Sequence, residues 1–368
     1  MKKSLLRILE FIAQLIPLWL YPYVLRRDWL DFFYHAVSDE AMGHVRNLYP
    51  VVPVAQFEET LHYLKQGRKF ITYPQIHAHI IAGAPLPPKA AHISFDDGFA
   101  ECFTLVRPML QKFDLPGTFF VVTDWVDNGA MFPRNKASLA IQRFSESTRD
   151  EQVAMLAAMR QNLDAAFDSA DSFVAWLKSL HVSDESVIDE VCRTLGIDIP
   201  EFLNQQQPYL TSEQIQQMHA DGFTIGAHTR THRKLMNLSD AEIETEIIES
   251  CRRVQEITGQ EIVPFSFPHS AFGVSRQLLA DIRARHPHVG LLFDTKGVRK
   301  DVNFIINRVW AERSLPSSQD AGKRKLHPLP EVLHYAYQEA WVDSVMDALR
   351  KIKLIHFDGK RFLGPYGN

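Results

Sequence analysis

Short apolar runs that read as strands alternate with amphipathic stretches that read as helices along most of this chain, and no other feature restricts the fold as strongly. Strand-type runs fall at 29–35, 70–73, 92–95, 117–122, 223–227, 262–267, 289–293 and 304–310. Helical patterns fall between them at 53–65, 104–113, 212–220, 240–258 and 275–284, with Thr211 or Ser212 placed to cap the third. A strand followed by a helix returns the chain parallel to itself, so the pattern predicts a parallel sheet with crossover helices. Seven or eight such strands predict a closed (β/α) barrel rather than an open sheet. Between residues 125 and 209 the alternation stops and helical patterns dominate (152–167, 172–180, 185–195), which predicts a helical insertion able to roof or wall a site.

The expected organisation is an amphipathic segment at 1–28, the barrel at 29–315 with its insertion at 125–209, and a C-terminal helix near 328–353 with a Gly/Pro-containing tail, together 316–368. Of the 368 residues, 46% are apolar and 23% charged, the balance of an ordinary globular protein. A net charge of -4 gives no long-range attraction for nucleic acid, and the basic clusters at 283–285 and 323–325 lack interleaved aromatics, so no nucleic-acid partner is expected. Three scattered cysteines, Cys102, Cys192 and Cys251, suggest neither a disulfide framework nor a thiolate metal site. They favour a reducing compartment, and the expected location is cytoplasmic.

In the first segment Lys3, Arg7, Glu10 and Gln14 share one helical stripe, apolar residues cover the rest, and Pro17 interrupts the pattern. The apolar run is shorter than the roughly 20 residues that cross a bilayer, and a small-residue cleavage site of the secretory type is missing. Two readings stay open. Residues 1–25 lie on a membrane surface, at its inner face, or they pack on the protein's own body.

Chemically capable residues collect at the ends of the predicted strands: His35, Asp96, Asp97, His228, His232, His269 and Asp294. In a barrel this end is where the chemistry sits. Asp96-Asp97-Gly98 closes an apolar strand, and adjacent side chains there serve one site only if the backbone bends, a freedom that Gly98 supplies. His228 and His232 stand at i and i+4, a helical or turn spacing that brings both imidazoles to one face. One carboxylate and two imidazoles can bind a divalent metal and leave room for a water. The residues between the histidines, Thr-Arg-Thr, include no glutamate base, so a base must come from elsewhere. The functional reading makes Asp97 a metal ligand with His228 and His232, and Asp96 the general base.

Taken together, Ser94-Phe95-Asp96-Asp97-Gly98 and His228-Thr229-Arg230-Thr231-His232 resemble the two metal-site motifs of the polysaccharide deacetylase family (carbohydrate esterase family 4). The flanking stretches 115–120, 210–214 and 222–226 are similar to their surroundings in that family, and Tyr34-His35 to the opening strand of one large branch. The resemblance implies a distorted (β/α)7 barrel and a divalent metal, zinc in first place, on Asp97, His228 and His232. It also implies hydrolysis of an N-acetyl amide on a sugar, with Asp96 deprotonating the attacking water and the backbone N–H of His269 helping to hold the oxyanion. The implied partner is an N-acetylated glycan or glycolipid, with His35, Pro268 and Arg308 as substrate contacts. Phe267-Pro268-His269-Ser270 departs from the family's usual third motif, and the late motif carrying the acid histidine is not recognisable, with Asn307-Arg308-Val309-Trp310 in its region. The proton donor to the leaving amine therefore stays open among His269, His35 and protonated Asp96. A glycan-binding relative without catalysis and a hydrolase of a non-sugar amide are the competing readings.

Overall fold

In the computed structural model, which describes residues 2–25, 29–163, 165, 167, 169–313 and 326–351, nine strands form one parallel sheet. They are β1 (Trp29–Tyr34), β2 (Lys69–Phe70), β3 (Ala90–Phe95), β4 (Thr118–Val121), β5 (Thr224–Ala227), β6 (Val263–Ser266), β7 (Val289–Asp294), β8 (Ile305–Asn307) and β9 (Val309–Trp310). The order is β8-β7-β6-β5-β4-β3-β1-β9, with the short β2 beside the start of β3. Only Arg308 separates β8 from β9. The first pairs with β7, through Leu292 and Ile305, and the second with β1, through Phe32 and Val309. Residues 305–310 therefore join the two ends of the sheet and close a ring of seven positions, the (β/α)7 barrel that was expected. Its distortion lies where β5 meets β6 through the single pair Ala227 and Phe265, and where the β6–β7 register shifts between Val263 and Phe265.

Because helices cover the outside and side chains fill the inside, the strands are buried on both faces, which is why they read as apolar runs in the sequence. Polar residues near the middle of β3 are partnered. His92 bridges Asp31 (2.8 Å) and Thr118 (2.9 Å), and Ser94 donates to the Phe32 carbonyl. Near the starts of β3 and β7, Tyr73 packs with Ala90, Phe120 and Leu291 and accepts a hydrogen bond from the Leu291 N–H. Tyr73 opens the helix Tyr73–Ala82, where the sequence pattern predicted a strand at 70–73. The strand stops at Phe70 because Thr72 and Gln75 form a capping box that starts a helix there.

The insertion comprises helices Pro133–Ser145, Arg149–Leu163, Ala170–Ser179, Glu185–Thr194 and Ile199–Gln206, the first and last unforeseen. They share a core of their own around Phe144, Phe173, Ile188 and Val191, and Lys136 pairs with Glu185 and Asp189 at 2.7 Å. The C-terminal helix, Leu329–Lys351, carries Val342 and Met346 against Leu9 and Ala13 of the N-terminal helix Lys2–Leu15. Tyr21 stacks on Tyr337 beside them. The expected tail and the 323–325 cluster fall outside the described residues.

Close packing between β4, β5 and β6 depends on the missing side chain of Gly226. A Cβ there would lie 2.3 Å from the Phe120 ring and 2.9 Å from the Pro264 carbonyl oxygen. We expect Gly226→Ala to destabilise the fold by about 1–3 kcal/mol, read as a lower urea midpoint at unchanged slope.

Candidate active site

All the strands run the same way, so their C-terminal ends form one rim, and the residues singled out above lie on it. His35 follows β1, Asp96 and Asp97 follow β3, His228 follows β5, Pro268 and His269 follow β6, and Arg308 sits in the closing segment.

Asp96 is the most firmly held of them. Its two carboxylate oxygens accept from Arg308 Nη1 and Nη2, each at 2.7 Å, and its own N–H donates to the Tyr34 carbonyl. Arg308 also donates to Ser94 Oγ (3.0 Å) and Ser266 Oγ (2.6 Å), and its guanidinium lies 4.4 Å from the centre of the Phe33 ring. Burial pushes the Asp96 carboxyl up, but the charge of the Arg308 guanidinium outweighs it and holds the group below the usual carboxylate range. Arg308 was expected to contact substrate. It is fully buried instead, because its fork is committed to Asp96 and two serines under an aromatic cover.

At Asp97 the backbone turns with φ 74°, and at Gly98 with φ 69°, so the bend expected at the glycine starts one residue earlier. That reversal sends Asp97 toward the histidines. Its Oδ1 lies 3.5 Å from His228 Nε2 and 3.2 Å from His232 Nε2, while Oδ2 accepts from the Tyr49 hydroxyl at 2.8 Å. The His228 ring places Nδ1 2.8 Å from the Ser266 carbonyl, which can only accept. Nδ1 is therefore the protonated nitrogen, and the Nε2 lone pair faces Asp97. Asp97 Oδ1 is buried and has no hydrogen-bond partner. A bare carboxylate oxygen and an imidazole lone pair converging in a buried space form a cradle for a cation. The three residues offer one ligand atom each, all within 4.8 Å of one another. This donor set fits a divalent metal, and the Ser266 carbonyl behind His228 fixes the ligating tautomer.

The histidine pair does not lie on a helix. Residues 228–232 form an irregular turn with Thr229 at φ 65° and His232 at φ 61°. Glu246, buried on the helix Asp240–Thr258, holds this turn by accepting from the N–H groups of Arg230 (2.8 Å) and Thr231 (3.1 Å), from the Thr231 hydroxyl and from Arg233. Trp125 and Phe132, at the entry to the insertion, pack on the His232 ring and wall that side of the site.

Across the rim, His35 makes an ion pair through Nδ1 with the buried Glu312, and its N–H donates to the same carboxylate oxygen at 3.1 Å. Trp310 donates to that oxygen as well, at 3.1 Å. Burial pulls the His35 imidazole down, but Glu312, with Asp97 and Asp96 beyond it, more than compensates and raises it to about 9. His269 also lies at the site, with its ring 5.0 Å from that of His232 and its backbone at φ 63°. Burial, followed by the nearby His232, Lys234 and Arg134, pushes it well below the ordinary histidine range. Pro268 is buried between β6 and this turn. Asp294, at the end of β7, steadies the turn by accepting from the Ala271 N–H (2.9 Å).

Sequence reading missed Glu312, Tyr49, Ser266 and Glu246. Ser266 and Glu312 belong to the strand-end pattern that flagged the others and could have been added from it. Nothing local marks Tyr49 or Glu246, whose roles arise from contacts 48 and 16 residues away.

A seven-position barrel whose rim holds a charge-clamped carboxylate beside an Asp-His-His cradle defines a candidate hydrolytic centre. The family model described as polysaccharide deacetylase matches residues 83–176 and 178–285, and the chain belongs to that family. The poly-beta-1,6-N-acetyl-D-glucosamine N-deacetylase of Escherichia coli K12 is 34% identical over 98 residues, which are 26% of this chain and 14% of that protein. The chain thus matches only a small part of that relative's length. Among solved structures, IcaB from Ammonifex degensii superposes with a TM-score of 0.49 at 16% identity, covering 84% of this chain and 97% of that one. The Streptococcus pyogenes deacetylase PplD, in complex with acetate, gives a TM-score of 0.47 at 15% identity, covering 76% and 90%.

Glu246 lies outside the Asp-His-His group but holds the turn that orients His232. We expect Glu246→Ala to weaken the binding of an added divalent metal by about 10–100-fold, measured by competition with a chelating dye, with the three candidate ligands themselves unchanged.

Proposed function

We propose that the chain is a metal-dependent deacetylase that removes acetyl from an N-acetylated glycan, of which poly-N-acetylglucosamine is the first candidate. The observation that carries this reading is the division of the Asp96–Asp97 pair, one carboxylate fixed on Arg308 and the other gathered with His228 and His232. Asp97, His228 and His232 would hold the ion, and a two-nitrogen, one-oxygen donor set favours zinc. When bound, the cation would supply Lewis-acid polarisation and positive charge where the oxyanion develops.

Asp96, kept ionised by Arg308, takes a proton from the attacking water, whose oxygen bonds to the acetyl carbon. The backbone N–H of His269 is the proposed second oxyanion donor. As the C–N bond breaks, the nitrogen requires a proton. Of the donors left open by the sequence, His35 is favoured, because Glu312 orients its ring and keeps it protonated at neutral pH. The products are acetate and the free amine. The missing acid and the altered third motif had suggested a relative without catalysis, and the His35–Glu312 pair supplies a candidate for the first of these.

Acetate release from acetylated glucosamine oligomers, together with metal analysis, tests the reading. We expect Asp96→Asn to lower turnover by about 100-fold or more with bound metal retained, whereas Asp97→Ala loses the metal. Metal-loaded protein that releases no acetate from any N-acetylated glycan would refute it.

The pH profile tests the acid separately. His35 is protonated below about 9, so activity falls as pH rises through that value. Glu312→Gln removes the partner that raises the pKa, and this alkaline limb moves to lower pH. The same ion pair contributes stability that is fully present below the unfolded-state value of about 6.5 and is lost as pH rises through about 9. Unfolding midpoints at the two ends of that window should differ less in Glu312→Gln than in the parent.

A further inference from the structure

We propose that residues 2–25 form a docking surface for an anionic lipid bilayer. The helix Lys2–Leu15 presents three stripes. Leu9 and Ala13 are buried against the C-terminal helix, with Leu5 and Leu6 packed alongside. Arg7, Glu10 and Gln14 form an exposed polar stripe. The third stripe, Ile8, Phe11, Ile12 and Leu15, follows the i, i+3, i+4, i+7 spacing of an apolar helix face, and none of the described residues covers it: Phe11 is 61% and Leu15 67% exposed.

After the break at Pro17 the exposed apolar surface continues through Trp19 (69%), Tyr23 (76%) and Val24. Seven of the thirteen exposed large apolar side chains among the described residues lie in this one segment. A soluble monomer seldom leaves a contiguous apolar patch uncovered, and patches of this kind mark binding surfaces.

The chemistry favours lipid as the occupant. Among the described residues no single helix is long and apolar enough to cross a membrane; Ser4–Leu15 and Leu18–Leu25 reach that length and composition only together, and they meet at 97°. With one face spent on the protein and another apolar, the helix suits the plane of an interface, where tryptophan and tyrosine are favoured. Lys2, Lys3 and Arg7 oppose only Glu10 in this segment, on a chain whose net charge is -4, so the local charge complements anionic headgroups. Beside the patch, an open, mostly apolar hollow of about 310 Å³ is lined by Val24, Leu25, Trp341, Val345 and Leu349 among others.

The test is co-sedimentation of the full chain with vesicles of phosphatidylcholine alone or with phosphatidylglycerol added. We expect binding to the anionic vesicles that weakens with salt. Phe11→Glu and Leu15→Glu should each lower partitioning about tenfold or more, with circular dichroism and acetate release unchanged. Arg7→Glu should reduce binding to the anionic vesicles only. Tyr63→Glu, an exposed apolar position outside the patch, should bind as the parent does. The proposal falls if the parent chain stays in the supernatant with every vesicle, or if Phe11→Glu sediments like the parent. It also falls if light scattering shows a dimer that Phe11→Glu dissociates while no vesicle is bound, which would assign the face to a second copy.

Discussion

The rest of the structure depends on the pairing of Arg308 with Asp96. Two buried charges meet at 2.7 Å, and their desolvation is offset by two parallel hydrogen bonds, the Ser94 and Ser266 hydroxyls and three aromatic rings around the guanidinium. Loss of one member of such a pair typically costs about 3–5 kcal/mol, because the other charge is left stranded. Arg308 is also the residue between β8 and β9, where the sheet closes on itself. The contact that sets the protonation of the proposed base is thus built into the seam of the barrel.

Around that fixed point the rim is assembled from strained backbone. Asp97, Thr229, His232 and His269 all take positive φ, a conformation that costs side-chain-bearing residues free energy. At Asp97 and His232 the departure brings the side chains together, with Asp97 Oδ1 3.2 Å from His232 Nε2. Compensation comes from outside the motifs: Glu246 ties down the histidine turn, Tyr49 anchors one oxygen of Asp97, and Asp294 holds the turn after Pro268. The short motifs supply the groups gathered at the rim, and scattered polar residues keep them in place.

Much of this was legible in the sequence where local physics decides it. The helices Ser212–Ala220 and Asp240–Thr258 start at Thr211 and Ser239 caps and carry strong apolar stripes, so their limits could be read closely. The strand at 70–73 was misread because its β-branched and aromatic composition concealed a Thr-x-x-Gln capping box. The two outer helices of the insertion were missed because their pattern is set by packing on neighbouring helices and on the rim. Arg308 was placed in the right region and the wrong environment, since nothing local distinguishes an arginine facing solvent from one facing a carboxylate 212 residues away. The His35–Glu312 pair, 277 residues apart, was invisible for the same reason.

The seam has a temporal consequence as well as a spatial one. Strand β1 is made early, yet its second neighbour is β9, so the pairing that completes the ring waits for nearly the whole barrel sequence to emerge. Contacts of such long sequence separation carry a high loop-closure cost and form late. Asp96 gains its guanidinium, and His35 its carboxylate, only in that last step. A chain interrupted before the seam could gather Asp97 and the two histidines while lacking both buried ion pairs, so this architecture leaves those two charge pairs to be made when the ring is shut.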